Sequence, residues 1–505
     1  MNTKEVLRNP FSSMPHGTAA LFFIQIFSCL SYSVLYSSLV LYMRSVYGFS
    51  AAEAASITGV FIAYNYALHL LGGYLAGRYL SNRALFSIGM MIQAVGCLLF
   101  IVQTPLFLFL GLSAFLTGCG LNVTCVNCML TQLFKPEDNR RETAFMYNYA
   151  AMNGGFLLGF SMAGYFHMMN NYPLLFALSA AGNFIAMCLC FSSWKALHDK
   201  KTIYAGLNDR QKRQRMKIGF TSIVLLFLAL NVLLHMSSLA NRVVIFTGVV
   251  MFFVMITLAR QQKEIQVKRK LQAFIILTLA GMVFWTLYQI APMGLNIFID
   301  KNVNRQIVFF GMELTIPPQW FQNVNALIII IGGPVLSTLF TRWRARGINI
   351  HVPGQFCVAL LLIGLAFILL PIGIYYADNS GLVNPKFIVW CYILQSIGEL
   401  LISPVGYAMI GALIPASMQG LMTGIWMMST GVGAILSSYS SYWMTAGTSS
   451  DSPLVTNAGY SHVFGILGVC TLVAAMIIYA LIPFLKKYMG ISTQSEQSES
   501  IAVEL

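Results

Sequence analysis

Charge is what this sequence has least of. Only 9% of its 505 residues are Asp, Glu, Lys or Arg, against about 25% in a typical soluble domain. With 57% hydrophobic residues, the chain is read as an integral membrane protein. Acids are scarcer than bases, 16 against 30, which leaves a net charge of +14. A nucleic-acid partner would need that excess gathered on one surface, and it is scattered through short breaks instead. Metal-ligand patterns are missing as well. The ten Cys lie in apolar stretches; Cys125 and Cys128 have C-x-x-C spacing but no His or acid beside them. They are read as small buried hydrophobes. There is no H-E-x-x-H motif and no His cluster. No metal, no cofactor and no catalytic group is expected, which argues against a membrane enzyme. The start, MNTKEVLRNPFSSMPHG, lacks the basic end, short apolar core and small-residue cleavage site of a signal peptide. It reads as a cytoplasmic leader.

What is present is long apolar runs. A spanning helix needs ~20 such residues. Stretches of that kind begin near residues 18, 53, 84, 106, 143, 172, 218, 243, 271, 320, 354, 386, 419 and 461, fourteen in all. Lys and Arg alternate between rich and poor breaks. One side would hold Lys4, Arg8, Arg78, Arg83, Lys135, Arg140, Arg141, the basic runs 195–217 and 260–270, Arg342 to Arg346, and Lys486 with Lys487. The other holds only Arg44, Arg242, Lys301, Arg305 and Lys386, so the first side is cytoplasmic by the positive-inside rule. Both termini fall on that side. No Lys or Arg is left over for the membrane interior.

The plan is therefore all-α. A leader, 1–17, precedes a six-helix bundle, 18–194. A linker, 195–270, contains an apolar hairpin at about 218–260 that reads as lipid-facing. A second six-helix bundle, 271–487, ends in a polar tail, 488–505. Two six-helix bundles plus an inserted two-helix hairpin, with 14 transmembrane helices, match the plan of the major facilitator superfamily. In that superfamily a solute sits at the midplane and rocking of the halves gives alternating access.

One residue stands out in WCYILQSIGELLISPVGYAMIGALIP, residues 390–415. Glu399 is the only acid that must lie deep in a spanning segment. A carboxylate there costs several kcal/mol unless paired, hydrated or protonated, so it is a functional-site candidate by default. His69 is the other ionisable group at depth. A lone His on a membrane helix is more often a hydrogen-bonded packing residue, yet it shares with Glu399 the capacity to carry a proton.

Several stretches resemble the proton-dependent oligopeptide transporter family. YNYALHLLGGYLAGRYLSNR resembles its Y-x-T-P-x-x-G-G-x-x-A-D-x-x-x-G-x-R, and DNRRETAFMYNYAAMNGGFLLG its D-x-R-R-x-x-x-F-x-x-F-Y-x-x-x-N-x-G. FWTLYQIAPMGLNIFID, FQNVNALIIIIGGP, QSIGELLISPVGYAMI and GLMTGIWMMSTGVG also fit. The resemblance implies uptake of di- or tripeptides, energised by a proton gradient. It places Asn153, Asn325 and Glu399 at a cradle for a peptide's free amino group. Tyr32 and Tyr66 match substrate-lining tyrosines. Trp285, Tyr288 and Trp426 would add aromatic walls or cation–π contacts, although each alone is more often helix packing.

The departures are as informative. In QIFSCLSYSVLYSSLVLY, Gln25, Ser28 and Cys29 stand where the family has two Glu and an Arg, and Tyr36 stands at a later Arg. GCGLNVTCVN puts Val123 at a Lys, Gln289 replaces an acid, and Gly77 replaces an Asp. The resemblance implies that those acids couple protons and those bases hold the peptide's carboxylate. Losing them together avoids stranding a buried charge, so the change looks like a concerted neutralisation. A site for a positive group remains, without a fixed cation for a negative one. Tyr36, Asn122 and Asn127 are the neutral donors left for a carboxylate. The substrate is thus expected to be a short peptide or a related small amine-bearing solute, with proton coupling in doubt. A facilitator or exporter of a non-peptide nitrogenous metabolite is an alternative, as is a sensor that keeps a transporter fold. A monomer in a bacterial inner membrane is expected, with lipid and the solute as its partners.

Overall fold

A computed structural model describes residues 11, 14–135, 138, 140–200, 202–309, 311–347, 350–415, 418–445 and 450–490. Most of the leader and the polar tail beyond Gly490 lie outside the described residues. Fourteen helices of 18 residues or more are present among the described residues. They are α1 Thr18–Tyr47, α2 Ala51–Leu75, α3 Asn82–Leu99, α4 Pro105–Leu133, α5 Arg140–Met168, α6 Tyr172–Ser192, α7 Asp209–His235, α8 Ser237–Gln261 and α9 Ile265–Tyr288. A widened turn, Ala291–Leu295, carries α9 into the short α10, Asn296–Asn302. Then come α11 Asn323–Ala345, α12 Val352–Tyr375, α13 Lys386–Leu413, α14 Gln419–Thr445 and α15 Pro453–Met489. Among the described residues, thirteen spans are long and apolar enough to cross a membrane. The fourteenth helix, α5, is long enough but carries more polar residues, Asn148 and Asn153 among them.

Local chemistry sets the ends. Gly48 closes α1 in the left-handed region at φ 69°, where a side chain would be strained. Ser50 and Glu53 form a capping box that opens α2. Thr104 caps α4 with Pro105 in its first turn.

The chain forms two compact units, Met1–Ala240 with Arg305–Ile330, and Asn241–Asn304 with Ile331–Leu505. The hairpin helices α7 and α8 are thus divided between units. Their spanning windows are only 22% and 17% buried, against 72% for α4, and exposed apolar side chains such as Leu225, Leu228, Phe246 and Phe253 cover them. This is the surface a lipid-facing hairpin requires.

In the first unit, helices approach closely through glycine. A Cβ on Gly72 would collide with the carbonyl oxygen of Gly120 on α4. A Cβ on Gly159 of α5 would collide with Ser33 Oγ and lie 2.7 Å from Leu30 O, both on α1. Buried polar groups stitch the helices, as Ser31 Oγ donates to Asn183 Oδ1 at 2.8 Å, linking α1 to α6. The linker after α6 is tied down. Asp199 accepts from the backbone N of Asn82 at 3.1 Å, placing a carboxylate at the N-terminus of α3. Tyr204 N donates to Gly77 O at 2.8 Å, and Gly77 has φ 68°.

Strands were not expected. β1 Gln306–Phe309 and β2 Met312–Thr315 form an antiparallel hairpin turning at Gly311, φ 78°. It is a small addition to an otherwise helical membrane fold.

Candidate functional site

The first unit carries the positions that differ from the family pattern. Gln25, Ser28 and Cys29 lie one turn apart on α1 and are buried. Gln25 Nε2 donates to Cys29 Sγ at 3.2 Å, and Ser28 Oγ donates to Gln25 O at 3.1 Å. The three residues therefore satisfy one another within one helix, and the site needs no counter-ion. Val123 on α4 is half-buried. Asn122 is buried, and its Nδ2 donates to Gln93 Oε1 on α3 at 2.5 Å. Asn127 is exposed.

Tyr32 and Tyr36 belong to an aromatic cluster. The Tyr32 ring lies 5.9 Å from Tyr36, 6.0 Å from Phe61 on α2 and 6.0 Å from Phe156 on α5. Tyr66 and Cys119 are within electrostatic reach of Tyr32. On α5, Asn153 is buried and its Nδ2 donates to Tyr149 O at 3.0 Å. That bond leaves the amide oxygen as the group able to meet an ammonium. Asn325 is in the first unit too, in the opening turn of α11.

The second unit carries Glu399, the only buried Asp, Glu, Lys or Arg among the described residues. Gln395 precedes it by one turn on the same face of α13. Gln395 Nε2 donates to Tyr288 O at 3.2 Å, which sets that face against the end of α9. Trp285 and Tyr288 meet there with ring centroids 5.2 Å apart, and Trp285 Nε1 is buried with no hydrogen-bond partner. Gln289, fully buried, follows directly. An acid, two aromatic rings and a neutral amide therefore share one region of this unit. Trp426 is used differently. Its indole fills the space over Gly281 and Gly406, which have no Cβ to oppose it, and packs 6.2 Å from Phe356.

One group escaped the sequence reading. Gln319 and Gln322 lie in the 3-10 turn Pro318–Gln322 that leads into α11, and all four of their amide atoms are buried without a hydrogen-bond partner. Their spacing of three, eclipsed in a 3-10 turn, was the available signal. The beside-lying Trp320 Nε1 donates to Ser161 O at 3.0 Å, and its indole occupies the place of a Cβ on Gly164. His69, already a candidate in the sequence, is set apart by its packing. Both of its ring nitrogens are buried without a partner, so it is not the hydrogen-bonded packing residue that a lone membrane His usually is.

Residues 80–463 match the POT family. The dipeptide and tripeptide permease B of Photorhabdus luminescens is 28% identical over 93% of this chain and 96% of its own length. That of Salmonella typhimurium is 28% identical over 94% and 96%. Among solved structures, a peptide transporter POT in complex with sulfate superposes with a TM-score of 0.81 at 25% identity, covering 97% of this chain and 99% of its own. A POT family transporter in complex with 5-aminolevulinic acid gives 0.80 at 23%, covering 94% and 98%. These relatives are transporters rather than enzymes, and the chain is an integral membrane protein with their helical fold; it belongs to the POT family of peptide transporters.

Proposed function

We propose that this chain moves di- or tripeptides, or a close amine-bearing analogue, across a bacterial inner membrane by alternating access, working as a monomer with both termini cytoplasmic. Glu399 is the anchor for the solute's ammonium group. The observation that carries this reading is that Glu399 is the one buried Asp, Glu, Lys or Arg among the described residues, one turn beyond Gln395, which bonds Tyr288 O at the end of α9. A carboxylate at that depth is costly, and a bound ammonium would offset that cost. The ring faces add cation–π attraction. Asn153 and Asn325 supply amide oxygens to the same class of group.

The experiment is counter-flow in liposomes with the purified chain, loaded in turn with dipeptides, N-acetylated dipeptides, amino acids and polyamines. Exchange of free-amine peptides, with none for their N-acetylated forms, is the expected result. Exchange that ignores acetylation would remove Glu399 from this role. Binding without any flux would favour a sensor.

A further inference from the structure

A zwitterionic peptide has a negative end, and the neutralised stretch of α1 offers it no cation. The described residues contain no buried Lys or Arg. They do contain one buried group able to become a cation, His69, which is 8% exposed. Neither ring nitrogen has a protein partner. The ring lies edge-on to Tyr66, centroids 6.2 Å apart. Its backbone is fixed, because Thr124 Oγ1 on α4 donates to His69 O at 2.9 Å. Asn65, one turn earlier on the same face of α2, lies within hydrogen-bonding reach of the Tyr32 hydroxyl on α1. The His69 imidazole is thus a buried polar group that its packing leaves unsatisfied.

We propose that His69, as imidazolium, binds the carboxylate of the transported solute, with Tyr32 and Tyr66 as neutral hydroxyl donors, so that one proton and one carboxylate enter together. This rests on the transport reading above and specifies its energy source. An imidazolium without a counter-ion is expensive in a membrane interior, and so is a carboxylate without a cation. Each removes the other's cost. The ring takes a proton from water on the side where solute binds and returns it to water where solute leaves. No bond of the solute is made or broken.

The surroundings permit such a cycle. The helices packed against α2 are α1, α4 and α7. Their titratable groups are Cys29, Tyr32, Tyr36, Tyr42, Arg44 and Tyr47 on α1 and Cys119, Cys125 and Cys128 on α4, with Glu53, Tyr64, Tyr66 and Tyr74 on α2 itself; of these only Arg44, in the last turn of α1, and Glu53, in the first turn of α2, are charged near pH 7. The charges of α7 are confined to its first turns, Asp209 to Lys217, where Arg215 lies over the Tyr79 ring, and His235 stacks on Phe109 at its other end. The charges of these helices sit at their ends, so a ligand is the proposed charge partner.

The test measures binding by ligand-induced shift in melting temperature, and flux separately by counter-flow, on the full chain. The probes are a dipeptide and its C-terminal amide. For the unmodified protein, the dipeptide's apparent affinity should fall by up to about tenfold per pH unit as pH rises above the range where the imidazole loses its proton. The amide's affinity should not change with pH. His69→Gln should bring the dipeptide to the amide's level and abolish the pH response. His69→Arg should retain the preference for the dipeptide and lose the pH response. Equal binding of dipeptide and amide at every pH, or an unchanged pH response in His69→Gln, overturns the proposal. Amide flux that persists in His69→Gln while those binding results fail leaves the transport reading standing alone. Binding by neither probe overturns the proposal, and absence of flux with either probe counts against the transport reading.

Discussion

The two units treat buried polarity in opposite ways. On α1 of the first unit, Gln25, Ser28 and Cys29 form a closed neutral set whose bonds stay within one helix. On α13 of the second unit, Glu399 keeps an ionisable carboxyl, with Gln395 holding its face against α9. The first arrangement is satisfied by its own residues. The second keeps a group that can carry charge. Among the described residues, the buried side chains able to carry charge near neutral pH are therefore one acid in the second unit and His69 in the first.

The largest expected effect strikes the charged side of that contrast. Glu399→Gln keeps the shape and removes the charge. Loss of a buried charge-assisted contact to an ammonium costs about 2–5 kcal/mol, so uptake of free-amine peptide should fall by about 30-fold or more. Folding should be unharmed, because a neutral amide is easier to bury than a carboxylate. Liposome uptake together with a melting curve checks both halves. Gln25→Ala is the matching control on α1, and its uptake should stay within a few-fold of the unmodified protein. Similar losses in both variants would break the comparison.

Next in size is the contact that holds α1 in place. Gly159→Leu must push α5 off Ser33 and the carbonyl of Leu30. Overpacking of a close-packed interior typically costs about 1–3 kcal/mol. Here the opposing atoms include backbone, so the upper part of that range is expected, read as a lowered melting temperature. Gly333, which has open space around it, should tolerate Ala with little change. That pair separates steric loss from any general intolerance of side chains at glycine.

Restoring an acid to the neutral set tests whether its loss was concerted. Gln25→Glu breaks the bond to Cys29 and places a carboxyl where no cation waits. The cost should be several kcal/mol at alkaline pH, and smaller in acid, where the carboxyl takes a proton. Adding Cys29→Arg one turn away should recover part of it, and a double-mutant cycle would show the coupling. Additive losses would mean that the helix has no room for the older ion pair.

Much of this architecture was legible in the sequence, because a membrane leaves few choices. Apolar runs of about 20 residues have to be helices there, and sparse charge makes an isolated acid such as Glu399 visible. The hairpin 306–315 was hidden, since two four-residue strands joined at Gly311 leave little periodicity to see. Partnership was hidden as well. That Asn122 is spent on Gln93, or that Trp426 fills the gap left by Gly281 and Gly406, follows from helix rotation and crossing, which an apolar-all-round helix does not encode. His69 shows the same limit, because the sequence marks an ionisable side chain and only the packing shows that its nitrogens are left unpaired.

The smallest effect belongs outside the membrane, where charge is plentiful and inexpensive. Asp138 precedes α5 and bonds both the backbone N and the guanidinium of Arg140, at 3.0 Å and 2.8 Å. Hydrogen bonds from Arg140 hold its carboxyl below the usual carboxylate range. A depressed acid stabilises the fold above its unfolded value and loses that contribution as pH falls through its folded value. Between neutral and mildly acid pH, Asp138→Asn should therefore shift the melting temperature by a small constant amount. The gap between variant and unmodified protein should close only in strong acid. Exposure and salt screening keep it small, and added salt should shrink it further. Glu399→Gln should show no such salt dependence in its uptake defect, because a buried contact is screened far less than an exposed one. If salt moved both alike, Glu399 would have to be in open water, and the contrast between the polar rim and the buried acid would fail.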